Sequence, residues 1–372
     1  MSDYAFSYVT YGELDDLESR HPVVHESGKG PQGTRYQGCP TISGDFPCFF
    51  YLTTRRGELV ASTSALPDVL VTKGSFRPWV WTGDLFTEEA FRGEGLATVL
   101  QRESTRLLHR RGIGRASVFS SDTSVHIHQK GGETLVGYAA RYLVLKSAGP
   151  FLRAHLRSRG VTRVLDALSR PIIGSAARMC WASGRARSPG TPGLDERVVA
   201  LDQASADRFA SLQYSTPFHF DDSLAAIRWK LEQANANPAS QCDLHLLTDS
   251  HDTPVGFFIT RLKHVSQPLG GKYQGFFLLT LMHFGLFEND AGIHPALLDQ
   301  LLELFWKSPA EVLEVITNCE PLLSAARSRG MLRVGKGMSF TFAVPGDWNF
   351  EAGDYELQRW PLTHFCGDGF TF

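Results

Sequence analysis

The stretch Arg92-Gly93-Glu94-Gly95-Leu96-Ala97-Thr98 sets two glycines two residues apart, behind an arginine and ahead of apolar residues at helical spacing. A helix entrance exposes several unpaired backbone N–H groups and carries partial positive charge. Glycine lets that backbone come close to an anion, because no Cβ intervenes. The pattern therefore suits a pyrophosphate. A turn that merely joins a strand to a helix can look the same, so the surrounding elements have to decide. Three other residues could do chemistry. His128 lies in "SVHIHQKGG", two after His126; Asp84 lies eight before Arg92; His283 lies in "GFFLLTLMHFGLF". An aspartate such as Asp84 is also a common turn former, and His283 reads as a core histidine or as a group facing a pocket. Cys366 and His364 stand two apart, too close in sequence to form a nucleophilic dyad readily. The thirteen histidines show no HExxH or paired spacing, so no metal site is expected.

Elements that could position these residues follow from periodicity. "CFFYLTT", the turn "RRGE" and "LVASTSALPDVLV" predict a hairpin, and "PWVWTGDLF" a further strand. Leu96, Val99, Leu100, Leu107 and Leu108 recur at helical spacing, and Gly112 stands where the helix would stop. "RASVFSS" predicts a strand, "SVHIHQKGG" a short helix, and "AARYLVLK" another strand. The C-terminal half repeats that order: "CDLHLLTD" and "VGFFITRLKHV" as a hairpin, "GFFLLTLMHFGLF", the helix "HPALLDQLLELFWKS", "EVLEVIT", "EPLLSAARSRG" and "MSFTFAV". The expected fold class is α/β, with mixed sheets of the α+β kind and helices on their faces. A repeat this long indicates two domains, not a solenoid.

The bulk properties agree with two soluble domains. The chain has 372 residues, 42% hydrophobic and 20% charged, with net charge −2, which argues against a general nucleic-acid coat. Six scattered cysteines without a CxxC pair predict reduced thiols. The sequence "MSDYAFSYVT" carries neither a basic leader nor an apolar run, so a cytoplasmic protein is expected. From Lys146 to Arg187 there are nine Lys or Arg and a single acid, Asp166. That segment reads as a solvated connecting helix, followed by a flexible "ASGRARSPGTPGLDE". Its charge would also suit an acidic partner surface, whether phosphates, anionic lipid or an acidic carrier protein. The expected division is therefore residues 1–147, a basic helical linker over 148–195, and residues 196–372.

With these elements in place, Arg-x-x-Gly-x-Ala after a strand resembles the acyl-coenzyme A signature of the GNAT superfamily of N-acyltransferases, Gln/Arg-x-x-Gly-x-Gly/Ala. The resemblance covers about residues 48–145, and more faintly the C-terminal half, giving two tandem GNAT-like domains. It implies that the amides of Gly93, Glu94, Gly95, Leu96, Ala97 and Thr98 hold the pyrophosphate of acetyl-CoA or another acyl-CoA, with Arg92 opening the turn. It further implies that Leu85, Phe86 and Thr87 run beside pantetheine where that strand splays from "ASVFSS", and that an N–H near Leu85 or Phe86 polarises the thioester carbonyl. Thr87 and Glu89 replace a Val and a Pro frequent in the family. Aligning on Gly132 puts His128 where many relatives carry a tyrosine acid, and Asp84 is the best candidate base for the acceptor amine.

The second half departs from the pattern. "ENDAGIHPALL" lacks the signature, and Glu288 and Asp290 near the helix entrance would repel a pyrophosphate. That half is expected not to bind coenzyme A conventionally, but to shape the acceptor site or cover the first sheet. The leading expectation is an N-acyltransferase that moves an acyl group, acetyl by default, to the amine of a small molecule or peptide. A longer acyl group, from coenzyme A or a carrier protein, is the alternative enzyme. A degenerate GNAT-fold ligand sensor or scaffold is the alternative from another class.

Overall fold

The computed structural model describes residues 3–27, 39–40, 43–72, 74–155, 159–186, 194–198, 206–214, 216–236, 238–266, 275–288, 290 and 292–366. In the first half come β1 (Tyr4–Thr10), α1 (Leu17–Arg20), α2 (Pro22–Ser27), β2 (Pro47–Thr54), β3 (Leu59–Thr72), β4 (Ser75–Thr87), α3 (Leu96–Arg110), β5 (Gly114–Val118), α4 (Asp122–Lys130), β6 (Thr134–Tyr138) and β7 (Ala140–Leu145). Helices α5 (Gly149–His155) and α6 (Arg159–Ala186) follow. The second half holds β8 (Asp195–Val198), α7 (Ala206–Ala210), β9 (Phe218–Phe220), α8 (Leu224–Asn235), β10 (Ser240–Thr248), β11 (Pro254–Val265), β12 (Phe276–Leu286), α9 (Ile293–Lys307), β13 (Val312–Thr317), α10 (Glu320–Ser328), β14 (Leu332–Arg333) and β15 (Ser339–Ala343).

Two mixed sheets result. The first has the order β1-β2-β3-β4-β5-β15-β6, with β9 on the far end of β3; the second has the order β14-β7-β13-β12-β11-β10-β8. Each is antiparallel except at one step, β4 beside β5 and β12 beside β13. The sheets do not follow the division expected at residue 147. Strand β7, expected in the first unit, pairs with β13 and β14 of the second sheet. Strand β15, expected in the second unit, inserts between β5 and β6 of the first. Both strands were legible as strands, but local pattern carries no information about which sheet edge a strand finds. The exchange means that neither sheet is complete without the other half.

Period-two alternation sorts the faces of β4. Val80 joins Leu96, Leu100 and Leu108 of α3 in a core on one face. Trp79 and Trp81 point to the other, into an aromatic cluster that also takes Phe220, Phe340, Phe342 and Trp360. Trp81 lies 4.6 Å from Phe220 and Phe342 4.7 Å from Trp360, ring centre to ring centre. Aromatic pairs at such spacings add roughly 0.5–1.5 kcal/mol each beyond burial, so this cluster welds residues 360–366 and β9 to the first sheet. On the second sheet the apolar stripe of α9, Leu297, Leu298, Leu301, Leu302 and Phe305, is buried.

The basic linker is helical over most of its length, and Ala182–Ala186, expected to be flexible, continue α6; residues 187–193 of that expectation lie outside the described residues. Much of its charge is committed within the molecule. Arg153 and Arg170 reach Glu311, and Arg185 reaches Glu303. Arg178 lies over the Trp306 ring.

Candidate functional site

The glycine turn stands at the entrance of α3, as its sequence suggested. Gly93 and Gly95 have φ of +92° and +78°, a left-handed region that penalises a side chain. A Cβ built at either meets nothing within 4 Å, so both face open space. Gly95 is the N-cap of α3 and offers no side chain to cap it, and no acidic residue stands in the first turn. The first amides of the helix that find a backbone carbonyl are those of Thr98 and Val99, both bonded to Gly95 O. Among the described residues, the amides of Gly93, Glu94, Gly95, Leu96 and Ala97 have no such partner. Side chains hold the turn in place from outside: Arg92 Nε donates to Thr87 O at 3.3 Å, and the Tyr4 hydroxyl donates to Glu94 Oε2 at 2.5 Å. The Glu94 carboxylate is thus drawn toward β1. A bare, positively polarised helix entrance is the outcome, and its residues fit a diphosphate.

The same turn opens onto a split between strands. β4 and β5 pair only from Trp79↔Gly114 to Trp81↔Ala116, although β4 runs on to Thr87. At the apex, Thr82 Oγ1 hydrogen-bonds Ala116 O at 3.1 Å and lies 2.6 Å from Ser117 Oγ. Leu85, Phe86 and Thr87 border the split on one side, with Phe86 and Thr87 paired to Ser62 and Ala61 of β3 on the other. A bulge between β3 and β4 lies within this stretch, and Asp84 occupies it with φ of +49°. Asp84 is exposed and its Oδ2 accepts from Ser64 Oγ at 3.1 Å. Its placement is that of a residue shaping the bulge.

His128 sits elsewhere than in an open cleft. It is 4% exposed, on the inner face of α4. Its Nδ1 lies 3.2 Å from both Glu133 Oε1 and Ser117 Oγ. Because both partners meet the same nitrogen, they cannot form a serine–histidine–carboxylate relay, which needs one partner on each ring nitrogen. Glu133 also pairs with Arg115 Nε at 3.0 Å and accepts from Thr341 of β15. Arg115, fully buried, donates further to Ser104, Thr105 and Thr82. Burial would raise the Glu133 carboxyl, but Arg115 and His128 outweigh it and hold it at about 2. This network ties α3, α4, β5 and β15 together beneath the split. His126 is exposed.

The second half presents the mirror of this arrangement with a different outcome. β12 and β13 pair only from Leu278↔Val312 to Leu281↔Val315 and then part, with a bulge opposite Ile259 and Thr260. Here the chain's own residues 360–366 enter the gap. Phe365 N donates to Met282 O at 3.1 Å, and Leu362 N to Asn318 Oδ1 at 2.9 Å. His364 goes to Glu314, 3.4 Å away, and its ring stacks on Phe119 at the end of β5. Cys366 is buried, with its thiol pushed up to about 12 by desolvation. A Cys366–His364 dyad is therefore absent. At the entrance of α9, Asp290 Oδ1 accepts from Gly292 N at 2.7 Å, so a carboxylate occupies the position that stays bare at α3. His283 lines a cavity beside this gap, together with Asp222 and Tyr214.

Sequence reasoning missed Arg115 and Glu133, although an arginine inside a five-residue strand was a signal for a buried ion pair. Asp222 had no signal in "FHFDDS", since its surroundings come from three separate elements.

No protein-family model and no curated protein sequence matches the chain. Solved structures do. Saccharomyces cerevisiae N-myristoyltransferase with bound myristoyl-CoA is similar over 93% of this chain and 80% of its own, at 13% identity and a TM-score of 0.53. A GCN5-related N-acetyltransferase from Anabaena variabilis is similar over 92% of this chain and 73% of its own, at 11% identity and a TM-score of 0.53. A conserved Enterococcus faecalis protein is similar over 91% of this chain and 72% of its own, at 10% identity and a TM-score of 0.54. The chain shares the fold of these structures.

Proposed function

We propose that the protein is an N-acyltransferase that moves an acyl group from an acyl-coenzyme A to an acceptor amine. One observation carries the reading: the bare helix entrance over residues 93–97, held open by two glycines at positive φ, lies at the mouth of the β4–β5 split. The amides of Gly93–Ala97 would hold the pyrophosphate, with Arg92 beside it; the Thr98 amide, expected to join them, is bonded to Gly95 O. Leu85, Phe86 and Thr87 would border pantetheine, because β5 offers that strand edge no pairing beyond Trp81. An acyl thioester bound there supplies the activated carbonyl. The chain's own task is to orient it and to accept the proton of the amine. His128 lies buried beside Glu133 and Ser117, and Asp84 lies exposed at the bulge beside Ser64. The test is isothermal titration with acetyl-CoA, followed by thiol release with a panel of primary amines. Saturable binding and amine-dependent release are expected; absence of binding would leave a scaffold or sensor.

A longer acyl group is the second reading, favoured by the likeness to a structure that holds myristoyl-CoA. Comparing acetyl-CoA with myristoyl-CoA as donors separates the two. Docking of an acidic carrier on the linker has less support, since Arg153, Arg170 and Arg185 already face Glu311 and Glu303.

A further inference from the structure

The cavity beside the second gap is lined, among the described residues, by positions between 212 and 363 and has a volume of about 260 Å³, room for a small molecule. Asp222 lies deep in it, its side chain 11% exposed, with Oδ1 3.1 Å from His283 Nε2. The Tyr214 hydroxyl hydrogen-bonds the same carboxylate. His283 is oriented from behind, by Thr363 Oγ1 at 3.1 Å from its Nδ1 and by the Phe365 ring stacked on it. His283 is the first charge to lower the Asp222 carboxyl, and Lys230, next in effect, is itself bound to Asp68 at 3.2 Å. Glu288 stands exposed on the lining, and Glu320 there is taken by Arg327. Among the described residues, no lysine or arginine lines the cavity. A second, independent feature points to a ligand: His294 lines the cavity at 9% exposure, and its Nδ1 has no hydrogen-bond partner among the described residues. Leu212, Leu286 and Trp360 supply apolar wall.

We propose that this cavity binds a small organic ammonium ion, with its charged head against Asp222 and Tyr214 and its apolar body against Leu212, Leu286 and Trp360. A buried carboxylate whose nearest partners are a phenol and an imidazole is stabilised by a cation that brings its own charge into the cavity. An anionic ligand would meet the carboxylates of Asp222 and Glu288 with no lysine or arginine among the described lining residues, so the cavity is built to favour a cation over an anion. The proposal stands whether or not acyl transfer is the activity, because the cavity shares no residue with the α3 entrance.

Isothermal titration of the full chain with three probes of one shape tests it: phenethylamine, 2-phenylethanol and 3-phenylpropionate. The amine is expected to bind at least tenfold more tightly than the alcohol, and the carboxylate not at all. Asp222→Asn is expected to cost the amine at least tenfold and leave the alcohol unchanged. Should that variant fail to fold, Tyr214→Phe and the probe ranking on the unaltered protein still decide. Equal affinity for amine and alcohol, preference for the carboxylate, or no saturable binding of the amine overturns the proposal.

Discussion

Replacing Gly95 by glutamate should weaken acyl-coenzyme A binding by a predictable amount while sparing the fold. A Cβ at position 95 meets nothing within 4 Å, so the protein itself pays only backbone strain, about 1–2 kcal/mol for a side chain at positive φ. The added carboxylate would stand at the helix entrance about 4 Å from a bound phosphate. At an effective dielectric near a protein surface that repulsion is about 4 kcal/mol per charge pair, and solvent screening at this exposed turn reduces it to about 2. The expected loss of affinity for acetyl-CoA is therefore about 2–4 kcal/mol, roughly 30- to 1,000-fold in Kd. Gly95→Ala separates strain from charge: it should lower the melting temperature similarly but change Kd far less. Titration calorimetry and thermal unfolding on the three proteins measure both quantities. A folded Gly95→Glu protein whose Kd stays within threefold of the original would refute the placement of the phosphates.

Glu133→Gln should destabilise the fold by about 3–5 kcal/mol in urea unfolding, because it leaves the Arg115 guanidinium buried without its counter-charge; a loss below about 1 kcal/mol would contradict that role. His128→Ala should cost about 1–3 kcal/mol of stability and leave acetyl-CoA affinity unchanged, since the ring serves the buried network; unchanged stability would show the network to be dispensable. Glu133 and Glu314 are both held at about 2, against 4.5 for an ordinary glutamate, so the folded protein binds fewer protons than the unfolded chain. Their contribution to stability is complete above pH 4.5 and lost as the pH falls toward 2. A urea midpoint that does not fall between pH 4.5 and pH 2 would argue against both buried pairs. Gly184→Ala should weaken the docking of α6, because a Cβ there falls on the Ser328 carbonyl of α10; an unaltered melting temperature would show that the helices can move apart freely.

Local pattern made most of the elements legible. Alternation announced β2, β3 and β4, and the stripe of Leu96, Leu100, Leu107 and Leu108 announced α3 with the glycine turn at its mouth. What stayed hidden depended on distant partners. Short β6 and β14 carry too few residues for a period to show, and they exist because β15 and β7 complete their sheets. The exchange of β7 and β15 is a choice among sheet edges that no local residue encodes. His128 was read from its alignment with a family tyrosine, but its surroundings come from Ser117 and Glu133, which place it in a buried ion-pair network. The cavity around Asp222 gathers residues from β12, the loop after β9 and the 360–366 segment, a meeting that only the fold creates.

The coordinates of a crystal of this protein grown with acetyl-CoA would test the phosphate-binding assignment most directly. The pyrophosphate oxygens should lie within hydrogen-bond distance of the Gly93–Ala97 amides, with pantetheine along Leu85–Thr87. A coenzyme bound at any other surface, or a turn whose amides are closed by protein side chains, would contradict the account.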